Sequence, residues 1–172
     1  MCLIYIFSEE PAIRVTLTEA TQSTTQDSNV PAWAIDGDLK TSSETEEVKL
    51  TLVWFKVLFD GIYCVNMVKL LQISHSSSPH KIWRMKDTRI TVLNSEQSTA
   101  QDCNVLADQM KDGVIDYEVW CTDKVAVCGD QLKLEVEHDK HTYDAAIQLA
   151  EIQVYAETGP QKIVLVSPGL LI

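Results

Sequence analysis

Gln131-Leu132-Lys133-Leu134-Glu135-Val136-Glu137 is the stretch that decides the fold class. Leu132, Leu134 and Val136 fall on one side and Lys133, Glu135 and Glu137 on the other, the period-two alternation of a strand with one face in a core. Residues 88–94 repeat the pattern, with Ile90 and Val92 expected inward and Arg89 and Thr91 outward. Residues 50–59 are nearly continuous apolar sequence around Trp54 and Phe55, interrupted by Lys56, and predict a strand buried on both faces at the centre of a sandwich. Residues 65–74 predict another strand, turning at Ser76, Ser77, Ser78 and Pro79. Helix signals are weak, with residues 104–111 predicting a short helical turn before Gly113. Many short strands joined by long Ser-, Thr-, Asp- and Asn-rich loops predict an all-β protein, a jelly-roll β-sandwich. Trp54, Phe55, Ile90, Val92, Leu134, Val136, Ile152 and Val154 are expected in its core.

The 172 residues suit one domain, and 45% hydrophobic with 23% charged residues is ordinary for a chain with a packed core. A net charge of −11 argues against nucleic acid, whose phosphates need clustered Lys and Arg, and against an anionic membrane surface. It suits a divalent cation held by carboxylates. Residues 1–7 (Met-Cys-Leu-Ile-Tyr-Ile-Phe) run into Ser8, Glu9 and Glu10 without the basic start, apolar length or cleavage site of a secretory signal. They read equally as the remnant of a truncated signal or as an edge strand. Residues 163–172 are apolar but broken by Pro168 and Gly169, and fall short of the about 20 residues that a membrane span needs. The chain is therefore expected to hold an N-terminal segment (1–12), one domain (13–157) and a tail (158–172). Of its five cysteines, Cys103 and Cys121 flank an Asp- and Gly-rich loop, as a disulfide pinning a hairpin would. Cys64 and Cys128 form the natural second pair, leaving Cys2, and the expected setting is extracellular. Buried free thiols in a cytosolic protein are the alternative.

Residues 147–155 change phase. Ile147 and Leu149 share one parity, Ile152 and Val154 the other, and a β-bulge near Ala150 and Glu151 would produce the switch and aim Glu151 toward a group that needs a carboxylate. An edge strand with imperfect alternation is the plainer account. Catalytic motifs are missing: Ser76-Ser77-Ser78 has no Gly-x-Ser-x-Gly around it, and there is no phosphate loop or dinucleotide fingerprint. His138 and His141 read as solvated loop histidines, with adventitious metal binding the alternative. Trp83 suits either stacking on a sugar ring or plugging the core.

Ala20-Thr21-Gln22-Ser23-Thr24-Thr25, Trp33-Ala34-Ile35-Asp36-Gly37-Asp38, Val53-Trp54-Phe55-Lys56-Val57 and Leu149-Ala150-Glu151-Ile152-Gln153-Val154-Tyr155 occur in that order. Together they resemble the opening, central strand and closing strand of the F-type lectin (fucolectin) and discoidin-like group, over roughly residues 13–157. The resemblance implies a jelly roll, a calcium ion beneath the loops and a shallow sugar site at one end. It assigns the ion to the carbonyl of Trp33, the side chains of Asp36 and Asp38, Thr41 or Ser43, the carbonyl of Ala150, and Glu151. Hard oxygen ligands of this kind suit Ca2+, and Asp36, Asp38 and Glu151 are then expected close together. An ordinary Asp-Gly-Asp turn is the alternative. The sugar face is assigned to Glu44, His75, Ser76, His80, Trp83 and Arg84. The fucose-binding His and first Arg positions hold Glu44 and Ser76, and only Arg84 matches the pattern. Ser42 and Ala150 replace a disulfide common in the group. The implied function is non-catalytic, calcium-supported glycan or glycoprotein binding in secreted adhesion or innate recognition. A protein- or matrix-interaction module that has lost fucose recognition is the alternative.

Overall fold

In the computed structural model, which describes residues 12–46, 52–72, 85–106, 116–121, 127–136 and 145–157, β-branched and aromatic residues at alternate positions form antiparallel strands. They are β1 (Ile13–Arg14), β2 (Leu17–Gln22), β3 (Ser43–Glu44), β4 (Val53–Leu71), β5 (Thr88–Asn94), β6 (Thr99–Leu106), β7 (Asp116–Trp120), β8 (Val127–Val136), β9 (Gln148–Leu149) and β10 (Glu151–Ala156). A 3-10 helix, Pro31–Ile35, follows β2. One connected sheet runs β1-β10-β4-β8-β5-β6, with β2 and β7 also paired to β4, while β3 and β9 form a separate pair.

The hub is β4. Its first half lies between β2 and β8, and its second half between β10 and β7. The strand thus passes from one layer of a sandwich to the other, and the inner faces meet in a single core. Phe55, Val57, Ile90, Leu132 and Leu134 come from one side and Val68, Leu70, Val119, Ile152 and Val154 from the other. The inward parity of β4 changes between Val65 and Val68. There its pairing with β10 steps from Tyr155↔Met67 to Ala156↔Val65, leaving Asn66 as the extra residue of a bulge.

The all-β sandwich expected from the alternation is the observed fold, and so are both disulfides, Cys64–Cys128 and Cys103–Cys121. Several details differ. The described parts of the segments read as separate strands at 50–59 and 65–74 belong to one strand, β4, because its pairing with β8 shifts register between Leu58 and Tyr63 and then resumes beyond Asp60-Gly61. The first half of β4 is not buried on both faces. Val53, Phe55, Val57 and Phe59 are buried, while Trp54, Lys56 and Leu58 are half-covered, Trp54 lying beneath the Lys133 ammonium. Thr91, expected outward, is 7% exposed because its hydroxyl bonds Asp102 across the β5–β6 pair. Of the helical turn expected at 104–111, residues 104–106 belong to β6, and residues 107–111 lie outside the described residues. The phase change at 147–155 is not a bulge at Ala150. Gln148–Leu149 pairs with β3 and Glu151–Ala156 with β4, so the chain changes sheets there.

One glycine is dictated by packing. A Cβ on Gly129 would lie 2.1 Å from the Leu93 carbonyl oxygen, a backbone atom that cannot step aside. The close approach sits beside Cys128, whose partner Cys64 is its registered neighbour across β4 and β8.

Candidate functional site

The loop after the 3-10 helix is shaped by its own side chains. Pro31 opens the helix, where a missing N–H costs nothing, and Ala34 packs fully buried beneath it. Asp36 closes the helix, and Gly37 then takes φ +78°, a conformation that glycine adopts freely. The Asp36 carboxylate accepts from Asp38 N at 2.8 Å and from the Thr41 hydroxyl at 2.9 Å. The same hydroxyl is 2.8 Å from the Asp38 carbonyl oxygen. A carboxylate, a carbonyl and a hydroxyl therefore converge on one side of the loop. Asp38 contributes its carbonyl, while one oxygen of its carboxylate accepts from Lys40 N at 3.0 Å.

Glu151 reaches this loop from the closing strand. It is 2% exposed, and its Oε2 accepts from Gly37 N at 3.2 Å. Its Oε1 accepts from an Arg14 guanidinium nitrogen at 2.8 Å, an ion pair between a buried acid and a side chain 54% exposed. Burial raises the Glu151 pKa above the ordinary carboxylate value, against the opposing pull of the Gly37 N–H and of Arg14. The nearby Asp36 charge raises it further. The expected gathering of three carboxylates becomes two, Asp36 and Glu151, with Asp38 present through its backbone. Among the described residues no three His, Cys, Asp or Glu side chains form a metal-binding group.

The remaining expected ion ligands lie on adjoining elements. Trp33 is half-buried in the 3-10 helix, one turn before Asp36. Ser43 is fully buried in β3, its hydroxyl 3.5 Å from the Leu149 carbonyl. Ala150 is buried at the sheet crossover, with its N–H on the Leu71 carbonyl.

Glu44 departs from the expected ligand face. It is 5% exposed, and its Oε2 accepts from Gln148 at 3.2 Å and from Asn29 at 3.3 Å. Its carbonyl accepts from Gln26 N and from the Gln22 amide. It knits β2, β3 and β9 together rather than facing outward. His75, Ser76, His80, Trp83 and Arg84 lie outside the described residues, as do His138 and His141. Sequence reasoning missed Arg14, Asn29 and Gln148. Arg14 offered only the weak alternation of Ile13, Val15 and Leu17 around it, and its partner is 137 positions away.

No family model and no curated protein matches the chain. Solved structures do. The lectin domain of lectinolysin in complex with Lewis b antigen superposes with a TM-score of 0.61 at 20% identity, covering 81% of this chain and 92% of that one. A fucolectin from Morone saxatilis (striped bass) serum gives 0.61 at 18% identity, over 80% of this chain and 45% of that chain. The family 32 carbohydrate-binding module of Clostridium perfringens NanJ, in complex with galactose, gives 0.62 at 13% identity, over 83% and 99%. The chain thus has the β-sandwich fold shared by F-type lectins and family 32 carbohydrate-binding modules.

Proposed function

We propose that the protein is a non-catalytic carbohydrate-binding module whose site is supported by calcium. The observation that carries this reading is the fold, shared with structures solved with Lewis b and galactose. The oxygen cluster beside Glu151 suits an ion. The Asp36 carboxylate, Asp38 carbonyl, Thr41 hydroxyl and Glu151 would hold it, with the carbonyls of Trp33 and Ala150 and the Ser43 side chain as the further expected donors. All are hard oxygens, the donor type calcium selects, and water would complete its six to eight ligands. Bound calcium would supply the positive charge that Arg14 alone does not fully provide to a buried carboxylate with a raised pKa.

A secreted role in adhesion or recognition agrees with the two disulfides, which persist in oxidising compartments. Among the described residues no helix is long and apolar enough to cross a membrane. Some proteins of this fold carry it beside a catalytic domain, as in a truncated AlyQ with family 32 module and alginate lyase domains, of which this chain covers 35%. The test is a glycan array with and without calcium. Selective binding that falls on chelation is expected, and no binding to any glycan sinks the lectin reading. A protein- or matrix-interaction module is the second reading. It is favoured by Glu44, which stands where fucose-binding members have a His and is turned inward to Gln148 and Asn29.

A further inference from the structure

A groove of about 280 Å3 lies along β1, lined by Arg14, Val15, Thr16, Leu17, Ile35 and Glu151. We propose that it is a saccharide subsite that takes two neighbouring hydroxyls of one neutral pyranose ring. It is distinct from the sugar face expected around Glu44. The proposal rests on the carbohydrate-binding reading and gives it a second place and a recognition chemistry.

Buried Glu151 is an acceptor with lone pairs beyond its bonds to Gly37 and Arg14. The Arg14 side chain, 54% exposed, spends one terminal nitrogen on Glu151 in its ion pair, and a guanidinium carries five N–H donors in a fixed fork. An acceptor and a set of donors therefore stand side by side. A diol can donate a hydrogen bond to the carboxylate through one hydroxyl and accept one from the guanidinium through the other, both charge-assisted. On the groove side the Arg14 charge offsets that of Glu151 Oε1, so this face suits a neutral polyol better than an anion, while Oε2 stays turned to the Gly37 loop. Half-buried Leu17 and Ile35 supply apolar wall for the C–H face of a ring. The volume is near the lower end of ligand sites, about 300–1,000 Å3, which fits one ring and not an oligosaccharide.

The same carboxylate faces the Asp36–Thr41 loop through its other oxygen. Sugar in the groove and an ion at the loop would act on one residue, and any effect of one on the affinity of the other must be reciprocal.

The test is an amide NMR titration of the full chain with methyl β-galactopyranoside and methyl α-fucopyranoside, with and without calcium. It is repeated on Arg14→Ala and Arg14→Lys, with thermal melts to verify folding. Expected are shifts at Val15, Thr16, Leu17 and Ile35, affinity falling at least about tenfold in Arg14→Ala, and only partial recovery in Arg14→Lys because the fork is lost. Binding that leaves those amides unmoved, or that survives Arg14→Ala unchanged, overturns the groove while sparing the carbohydrate reading. Silence toward both sugars, with selective binding on the glycan array, does the same. Silence on both overturns the two together.

Discussion

The sheet around β4 and the end around Glu151 bury their residues by opposite rules. Around β4 the buried side chains are mainly apolar, with Phe55, Leu132, Leu134 and Ile152 at 0% exposure and Thr88, Thr91 and Asn94 of β5 as polar exceptions. At the other end Ser43, Glu44, Thr45, Gln148 and Glu151 are buried too, and each is polar. Burial of apolar surface stabilises in proportion to area, at about 25 cal/mol per Å2. Burial of a carboxylate costs free energy unless partners meet it, and Glu44 and Glu151 each have several. The first region holds the fold. The second retains costly groups whose pairing adds little to stability beyond its own desolvation penalty.

The largest effect should come from the β4 side. Cys64 and Cys128 are separated by 64 residues and Cys103 and Cys121 by 18. Chain entropy alone makes the longer bridge worth about 4 kcal/mol and the shorter about 3. Replacing both cysteines of a pair by Ala and measuring denaturant unfolding should rank the long pair as the costlier loss. Equal or reversed losses would show that the Cys103–Cys121 side contributes through something beyond loop closure.

Gly129→Ala comes next, because the new Cβ meets backbone at 2.1 Å and not a yielding side chain. A loss of about 3 kcal/mol is expected, the upper range for overpacking. Gly61→Ala meets only the edge of the Tyr63 ring at 3.6 Å and should be near neutral. If the two variants melt alike, the β8–β5 approach is looser than its geometry.

The sequence made the first region legible and the second only partly so. Alternation in β5 and β8 is a local signal, and it and the pairing read from the placement of four cysteines both survived into the fold. The unity of β4 was hidden because Asp60-Gly61 has the composition of a turn, whereas its strand pairing carries on past it. The Asp-Gly-Asp loop was visible as a motif. What it did not carry was the rotation of the Asp38 carboxylate toward Lys40 N or the inward turn of Glu44, since both depend on neighbours distant in sequence. Arg14 was illegible for the same reason: no pattern within β1 points to a partner on β10.

A smaller effect tests the polar end directly. If calcium binds beside Glu151, ion at a hundredfold excess over its Kd stabilises the folded state by about 2.7 kcal/mol. For a domain of this size that is a Tm rise of about 5–10 °C. Chelation should reverse it, and Asp36→Ala should abolish the response. Glu44→Ala should melt lower in its own right, because Gln148 and Asn29 lose their acceptor, yet keep the full chelation response. A wild-type melt indifferent to chelator would reduce Asp36-Gly37-Asp38 to a turn tied to Glu151 and leave Arg14 as the cation of this end.

The smallest effect contrasts two acids. Burial, with the Asp36 charge beside it, raises the Glu151 pKa, whereas that of Asp130, at the Ser95 end of β5 and β8, is shifted the other way. The Ser95 hydroxyl donates to its Oδ2 and the Ser95 N–H to its Oδ1 at 2.9 Å. Those bonds, the hydroxyl first, lower the Asp130 pKa below its ordinary 3.8. An acid with a depressed folded pKa contributes stability that is present above the unfolded value and lost as pH falls through the folded one. Asp130→Asn should therefore melt below wild type from neutral pH down to about pH 4, with the gap closing under further acidification. Ser95 is exposed and Asp130 only half-buried, so the gap should be small and should shrink in high salt. Ser95→Ala should reproduce most of it, since the hydroxyl is the larger cause. A gap that stays constant through the acid range would mean that Asp130 acts by shape and not by charge. The opposite shifts of the two acids would then no longer separate the solvent-facing sheet from the buried polar end.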